Sequence, residues 1–345
     1  MALIDEIREQ PEVAARLLRE APADLRPLVA AVRRRDIAYV LIAARGTSDH
    51  AAVYAQYALG AIALLPVALA TPSLLTRYGV APRVGAALVL GISQSGRSPD
   101  IVEVLSEARR QGAVTAAITN EPESPLAGAA DHVVALRAGA EASVAATKTY
   151  SASILAVAML AAELADDDAR RRELAGVPEL MRQAAALQGT ATAVARRHQA
   201  MSDAVVLGRG YHLATALEWA LKLKELAYVR AQGYSTADFQ HGPAASLAPA
   251  GHVLAVSTGR PMRDELIAVL TELRRDRQAH VLLVGGDAGD AALVDAHLPL
   301  PSAVPEWLAP LAAIVPIQLF CAALGAARGI DAEHPRGLRK VTLTR

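Results

Sequence analysis

The chain has 345 residues, with 35 Lys plus Arg against 35 Asp plus Glu and a formal net charge of zero. That balance argues against a broad nucleic-acid surface, and two Phe and two Trp are too few stacking platforms for a single-strand binder. The single Cys, Cys321, excludes a disulfide framework and a Cys-based structural zinc site, while 53% hydrophobic residues against 3% aromatics predict an aliphatic, Ala-rich core.

Asp5, Glu6, Arg8 and Glu9 stand where a signal peptide would need an apolar core, so the expected location is the cytoplasm. Tyr39–Ala43 is then a short apolar run closed by Ala44-Arg-Gly-Thr-Ser48, with a helical pattern from His50. A second run, Ala86–Ile92, ends in a Ser/Gly turn before a helix from Pro99. Val114–Ile118 and His132–Leu136 follow, then a long apolar helix from about Ser143 to Leu164.

The order now repeats. Ala204–Leu207 leads through Gly208-Arg-Gly-Tyr-His212 to a helix from Leu213, and Val253–Ser257 precedes a helix from about Met262. His280–Val284 and His297–Leu300 come next, then a second long apolar helix from Pro305 to Arg328. The four strand pairs share an offset of about 165 residues, the mark of an internal duplication. Short apolar strands alternating with amphipathic helices imply parallel sheet covered on both faces. The fold class is therefore α/β, with two tandem domains, each a doubly wound, flavodoxin-like sheet flanked by helices. Boundaries are expected at 1–36 for a helical segment, 37–180 and 181–333 for the two domains, and 334–345 for a tail.

Between the halves, the charged stretch Asp166–Glu173 reads as a solvated loop and helix start. From Trp307 to Ala327 no residue is charged, which is long enough to cross a bilayer. Pro310, Pro316, Gln318 and Gly325 interrupt it and no second comparable span is found, so a helix buried at a domain or subunit interface is expected and no membrane association.

In open parallel sheets ligands bind beyond the carboxyl ends of strands, at helix N-termini. The turn after the second strand, Ser93-Gln94-Ser95-Gly96-Arg97-Ser98-Pro99, offers three hydroxyls, an amide and a flexible Gly at such a place. It suits a phosphate monoester, and Ser48 adds a hydroxyl from the neighbouring turn; the same residues also serve as ordinary helix caps. The matching turn of the second half, Ser257-Thr-Gly-Arg-Pro-Met-Arg263, lacks the Ser cluster, so one anion site is expected, not two.

Glu218, Lys222 and Glu225 share one stripe of the helix after the second half's first strand. A carboxylate and an ammonium on one pocket wall move protons and hold a developing oxyanion, although spacing alone favours a surface ion-pair ladder. His241, in Phe239-Gln-His-Gly-Pro243, lies at a loop-to-helix transition, where an imidazole could open a sugar ring by proton exchange. Lys340 lies in the tail, where sequence alone favours a frayed end over a catalytic contact. No metal-ligand spacing occurs, and no cofactor is expected.

Together these segments resemble the sugar isomerase (SIS) domain family of phosphosugar-binding proteins. The resemblance is to the isomerase half of glucosamine-6-phosphate synthase and, more closely, to stand-alone glucosamine-6-phosphate deaminases. It rests on six blocks in order: Arg45–His50, Ser93–Asp100, Val144–Thr149, Leu217–Glu225, His241–Pro243 and Pro335–Lys340, and it reaches from Glu6–Pro11 to Lys340–Thr342. It implies tandem SIS domains, with phosphate bound by Ser48, Ser93, Gln94, Ser95 and Ser98 and the sugar met by Thr47 and Val144. It further implies that Glu225 shuttles the proton between C1 and C2 beside Glu218 and Lys222. His241 then opens the ring across a homodimer interface, and Lys340 engages the open-chain carbonyl.

The expected activity is isomerisation and deamination of an amino-sugar phosphate, glucosamine 6-phosphate first, giving fructose 6-phosphate and ammonia. The alternatives are a fructosamine 6-phosphate deglycase, a galactosamine-type deaminase, another phosphosugar isomerase, or a non-catalytic phosphosugar sensor. Departures from the synthase type are also visible. Met1-Ala2 leads directly into the sugar domain and Cys321 lies in an apolar helix, so no glutamine hydrolysis is expected. Arg45 replaces a Cys, Arg97-Ser98-Pro99 replaces Glu-Thr-Ala, and Trp219 replaces a Gly, with the sugar pocket expected to be reshaped by it.

Overall fold

The structure, a computed structural model, describes residues 2–260, 262–301 and 303–340; Val341 and Thr342 of the tail block lie outside them. Three helices, α1 (Ala2–Arg8), α2 (Gln10–Glu20) and α3 (Pro22–Arg33), precede the first winding. It runs β1 (Tyr39–Ala43), α4 (Thr47–Ile62), β2 (Val67–Leu69), α5 (Pro72–Thr76), β3 (Ala87–Ile92), α6 (Pro99–Arg110), β4 (Val114–Thr119), α7 (Pro125–Ala129), β5 (His132–Ala135) and α8 (Lys148–Ala165). Helices α9 (Asp168–Leu174), α10 (Val177–Ala185) and α11 (Gln188–Arg197) connect to the second winding. That winding runs β6 (Asp203–Gly208), α12 (His212–Ala227), β7 (Arg230–Ser235), α13 (Thr236–Gln240), β8 (His252–Ser257), α14 (Met262–Arg277), β9 (His280–Gly285), β10 (Ala296–Leu298) and α15 (Ala309–Ala327).

Both sheets are five-stranded and parallel throughout, ordered β2-β1-β3-β4-β5 and β10-β9-β8-β6-β7. These are one flavodoxin-like winding read from opposite edges, so the tandem doubly wound architecture holds. All eight expected strands form. Two more edge strands, β2 and β7, complete the sheets and escape the sequence reading, one for its shortness and one for want of a continuous apolar run. β2 is only three residues long, and β7 reads Arg-Ala-Gln-Gly-Tyr-Ser with only two of its six positions buried. By contrast every residue of β3 and β4 is buried, as a strand covered on both faces requires.

The chain divides into two compact units. The first contains Glu12–Glu141, Lys148–Gly176 and the tail residues Arg339 and Lys340; the second contains the segment up to Pro11, Ala142–Thr147 and Val177–Leu338. The helical segment expected at 1–36 is thus shared between them, and the long boundary falls after Gly176. In the first unit Val89, Ile101, Leu105 and Leu126 pack one face of the sheet, and Leu207, Val253, Leu270 and Leu283 do so in the second.

Helix α15 packs against α10, α11 and α12 inside the second unit. A Cβ on Gly325 would stand 2.2 Å from the Leu226 carbonyl oxygen, so α15 crosses α12 at a distance that only Gly permits. Contrary to the sequence expectation, α15 is not alone in being long and apolar enough to span a membrane: α8 qualifies too. Both are largely buried within the fold. The charged stretch behaves as expected. Asp167 caps α9 by accepting from the amides of Ala169 and Arg170, and Arg171 pairs with Glu163, Asp166 and Asp168 at the surface.

Candidate active site

In the first unit the strand order reverses between β1 and β3, and the turns that follow these two strands carry the expected phosphate ligands. After β3, the Ser93 hydroxyl accepts from the Gly96 amide at 3.1 Å and the Ser95 hydroxyl from the Arg97 amide at 3.4 Å. Accepting leaves each hydroxyl its own proton to donate. The Gln94 carbonyl accepts from the Asn120 amide and the Thr119 hydroxyl, and the Gly96 carbonyl from the Leu126 amide, so the turn is tied to the segment after β4. Gly96 has φ +60°, and a Cβ there would lie 2.0 Å from Ser124 Oγ. Only Gly closes this turn.

Ser98 occupies the N-cap position of α6, with Pro99 behind it, yet its side chain makes no capping bond. The ordinary capping role therefore does not account for that hydroxyl. Thr47 and Ser48 form the first turn of α4, where the Ser48 amide donates to the Arg45 carbonyl at 3.1 Å. Arg45 reaches across to buried Asp100 with Nε and Nη2 at 2.9 and 2.8 Å from Oδ2, which ties the two turns together. In the same turn, burial raises the Asp49 carboxyl above its ordinary range, only partly offset by His50 and Arg45. Two helix N-termini make this a place for an anion.

The tail returns to this unit. Lys340 Nζ donates to Glu141 Oε2 at 2.9 Å, and Glu141 also accepts from the Thr149 amide and hydroxyl at 3.1 and 2.8 Å. Lys340 is therefore held by an ion pair and not frayed. Glu141 was missed from sequence; a single carboxylate in the loop Ala138-Gly-Ala-Glu-Ala-Ser143 was its only local signal.

In the second unit α12 carries the acid–base group. Glu218 and Lys222 side chains are 0% exposed, with Nζ 3.3 Å from Glu218 Oε1 and bonded to Glu225 Oε2. A surface ladder is thereby excluded. Burial alone would lower the Lys222 pKa, but the charges of Glu218 and Glu225 outweigh it and raise it, so the ammonium persists. Glu225 is the partly open member, 21% exposed, and lines a cavity of about 790 Å³ with Leu221, Tyr228, Arg230 and Arg336. Arg336 lies over the Tyr228 ring at 4.9 Å and its amide donates to the Tyr228 hydroxyl at 2.7 Å.

His241 follows the short α13 as its exposed C-cap, its amide donating to Asp238 O at 3.1 Å, and it is not among the residues lining the Glu225 cavity. Val144 is half-buried in the Ala142–Thr147 loop. Trp219 does not reshape a sugar pocket: it is fully buried, edge-on to Phe320 at 6.1 Å, and fills the contact between α12 and α15.

At the second unit's own strand reversal, between β6 and β8, the crevice is bridged. His212 Nε2 meets Thr258 Oγ1 at 2.9 Å, and burial pushes the His212 pKa down to about 3. Among the described residues no group of three or more His, Cys, Asp or Glu is arranged to hold a metal ion.

The SIS domain family matches residues 36–163 and 199–325. The chain belongs to the SIS domain family. It is 34% identical over 354 aligned positions to the glutamine–fructose-6-phosphate aminotransferase (isomerizing) of Gloeobacter violaceus, covering 98% of this chain and 58% of that protein. This SIS chain thus spans under three-fifths of that curated relative. A candidate phosphosugar isomerase from Silicibacter pomeroyi DSS-3 superimposes with TM-score 0.87 at 35% identity, covering 96% of this chain and 99% of the other. The glucosamine-6-phosphate deaminase of Thermotoga maritima shares the fold, with TM-score 0.79 at 20% identity and full coverage of both chains. These relationships are of the phosphosugar isomerase type.

Proposed function

We propose that this SIS protein isomerises and deaminates a 6-phosphorylated amino sugar, with glucosamine 6-phosphate as substrate. One observation carries the reading: a buried ammonium, Lys222, is clamped between two carboxylates of which only Glu225 opens to a cavity. That is the arrangement of a general base set beside its counter-charge.

The roles follow from chemistry. Ser48, Ser93, Gln94, Ser95 and Ser98 hold the phosphate, while Thr47 and Val144 meet the sugar. His241 of the partner subunit moves the proton from the anomeric hydroxyl to the ring oxygen, which gives the open-chain aldehyde. Lys340 holds the carbonyl oxygen as Glu225 removes the C2 proton, and the carbonyl oxygen takes a proton from solvent to give an enaminol. Glu225 returns its proton to C1, leaving a protonated ketimine at C2. Water adds to C2 and the C–N bond breaks, releasing ammonia and fructose 6-phosphate. In this reading the protein is a cytoplasmic homodimer that needs no metal.

Purified protein incubated with glucosamine 6-phosphate is expected to release equal amounts of ammonia and fructose 6-phosphate; no release overturns the substrate. Glu225→Gln is expected to abolish turnover while glucosamine 6-phosphate still binds in calorimetry. Retained activity removes Glu225 from the role. The similarity to the Silicibacter pomeroyi protein supports a second reading, plain aldose–ketose isomerisation without loss of nitrogen. Turnover of an aldose phosphate with no ammonia would select it.

A further inference from the structure

The N-terminal Glu6–Pro11 block has no part in the chemistry above, yet it carries a nearly buried carboxylate. Glu6 is 4% exposed and accepts from the Ala142 amide and from the Ser143 amide, the latter at 3.3 Å to each oxygen. One turn on, Gln10 is 0% exposed and donates both to Ile7 O at 2.9 Å and to Gln318 Oε1 at 2.8 Å. Gln318, equally buried on α15, donates to Thr147 O at 3.4 Å. The six-residue loop Ala142–Thr147 is therefore fastened at both ends, by Glu6 at its start and by the Gln10–Gln318 amide pair at its end. Val144 and Ala146 stay half-buried between the two fastenings.

A buried carboxylate is unfavourable unless its oxygens are satisfied, and charge-assisted bonds from consecutive amides are the strong kind. An apolar side chain would have filled this place without that cost. What the carboxylate adds is a fixed backbone conformation at Ala142 and Ser143.

We propose that Glu6 is a positioning residue for substrate, acting through the Ala142–Thr147 loop to hold the sugar-contacting Val144 in place. This rests on the reading of the chain as an amino-sugar phosphate enzyme. Kinetics of Glu6→Ala on glucosamine 6-phosphate test it. KM should rise roughly tenfold with kcat within about twofold of wild type, the signature of lost uniform binding. Glu6→Gln keeps an acceptor oxygen and should recover most of the loss. Inorganic phosphate, which needs only Ser48 and the Ser93–Ser98 turn, should bind all three proteins alike in calorimetry.

Unchanged KM in Glu6→Ala overturns the proposal, as does a parallel loss of phosphate affinity or a Glu6→Gln variant as damaged as Glu6→Ala. Where Glu6→Ala does not fold, Gln318→Leu releases the other end of the loop and should show the same KM shift; a normal KM there overturns the proposal. Wild-type protein that binds no glucosamine 6-phosphate overturns the functional reading, and this inference with it. Normal wild-type binding with unaltered variants overturns the inference alone.

Discussion

Lys222 shows what a side chain does when its surroundings decide its charge. Its ammonium is buried with Glu218, so removing it takes the counter-charge from a carboxylate in the core. Lys222→Met should destabilise the protein by about 3–5 kcal/mol, read as a lower urea midpoint at unchanged slope. A midpoint within experimental error of wild type would mean that Glu218 is satisfied otherwise. Gly96→Ala tests a different residue-level constraint, a positive φ and a 2.0 Å approach to Ser124 Oγ. It should weaken inorganic phosphate binding by an order of magnitude or more, measured by calorimetry, because the turn cannot close over a Cβ. Unaltered affinity would show that the turn accommodates the methyl group by moving Ser124.

At the level of elements, the interior strands were legible because burial on both faces leaves an uninterrupted apolar run. The edge strands β2 and β7 carry no such mark, since the first is too short and the second is not continuously apolar. The α12 stripe was legible as a pattern but not as a buried one; only the fold shows that Glu218 and Lys222 lie inside. Glu6 and Glu141 were invisible for another reason: their partners lie far along the chain, and no local spacing announces such bonds.

Three elements meet at a histidine group whose acid response can be worked out. His198, capping α11, lies 5.8 Å from His252 at the start of β8, which lies 5.5 Å from His280 at the start of β9. Arg197, Asp295 and Asp203 are the other charged groups near them. Burial lowers the pKa of both His198 and His252; neighbouring imidazoles lower each further, as does Arg197 at His198. Below the ordinary value of 6.5 the unfolded chain therefore takes up protons first. Stability should be level above about pH 6.5 and fall as the pH drops below it. The urea midpoint followed from pH 8 to 5 checks this; buried His212 adds to the same fall, so a His198→Asn, His252→Gln double variant should reduce the slope without abolishing it. An equal slope in the variant would assign the acid loss to other groups.

For the molecule as a whole, the two copies of one winding have taken different tasks. The first unit presents hydroxyls and amides at its strand reversal; the second presents the buried Glu–Lys–Glu helix. In the proposed homodimer, His241, exposed and outside the cavity that Glu225 lines, is delivered to the partner chain. Sedimentation should therefore give twice the chain mass. Mixing Glu225→Gln chains with His241→Ala chains should restore part of the activity that each lacks, because half of the mixed sites are intact. A monomer, or no restoration on mixing, would place both residues in one chain's site.

The His212–Thr258 bond has a consequence for how this duplicated molecule is free to change. At the second winding's strand reversal a single imidazole–hydroxyl bond ties the start of α12 to the turn after β8. Because that imidazole takes up a proton only near pH 3, acidity does not break the tie while the protein is folded. Substitution can. Loss of the His212 side chain frees the strand reversal of the second winding, a place where a new ligand could be gained without touching the Ser93–Ser98 turn of the first.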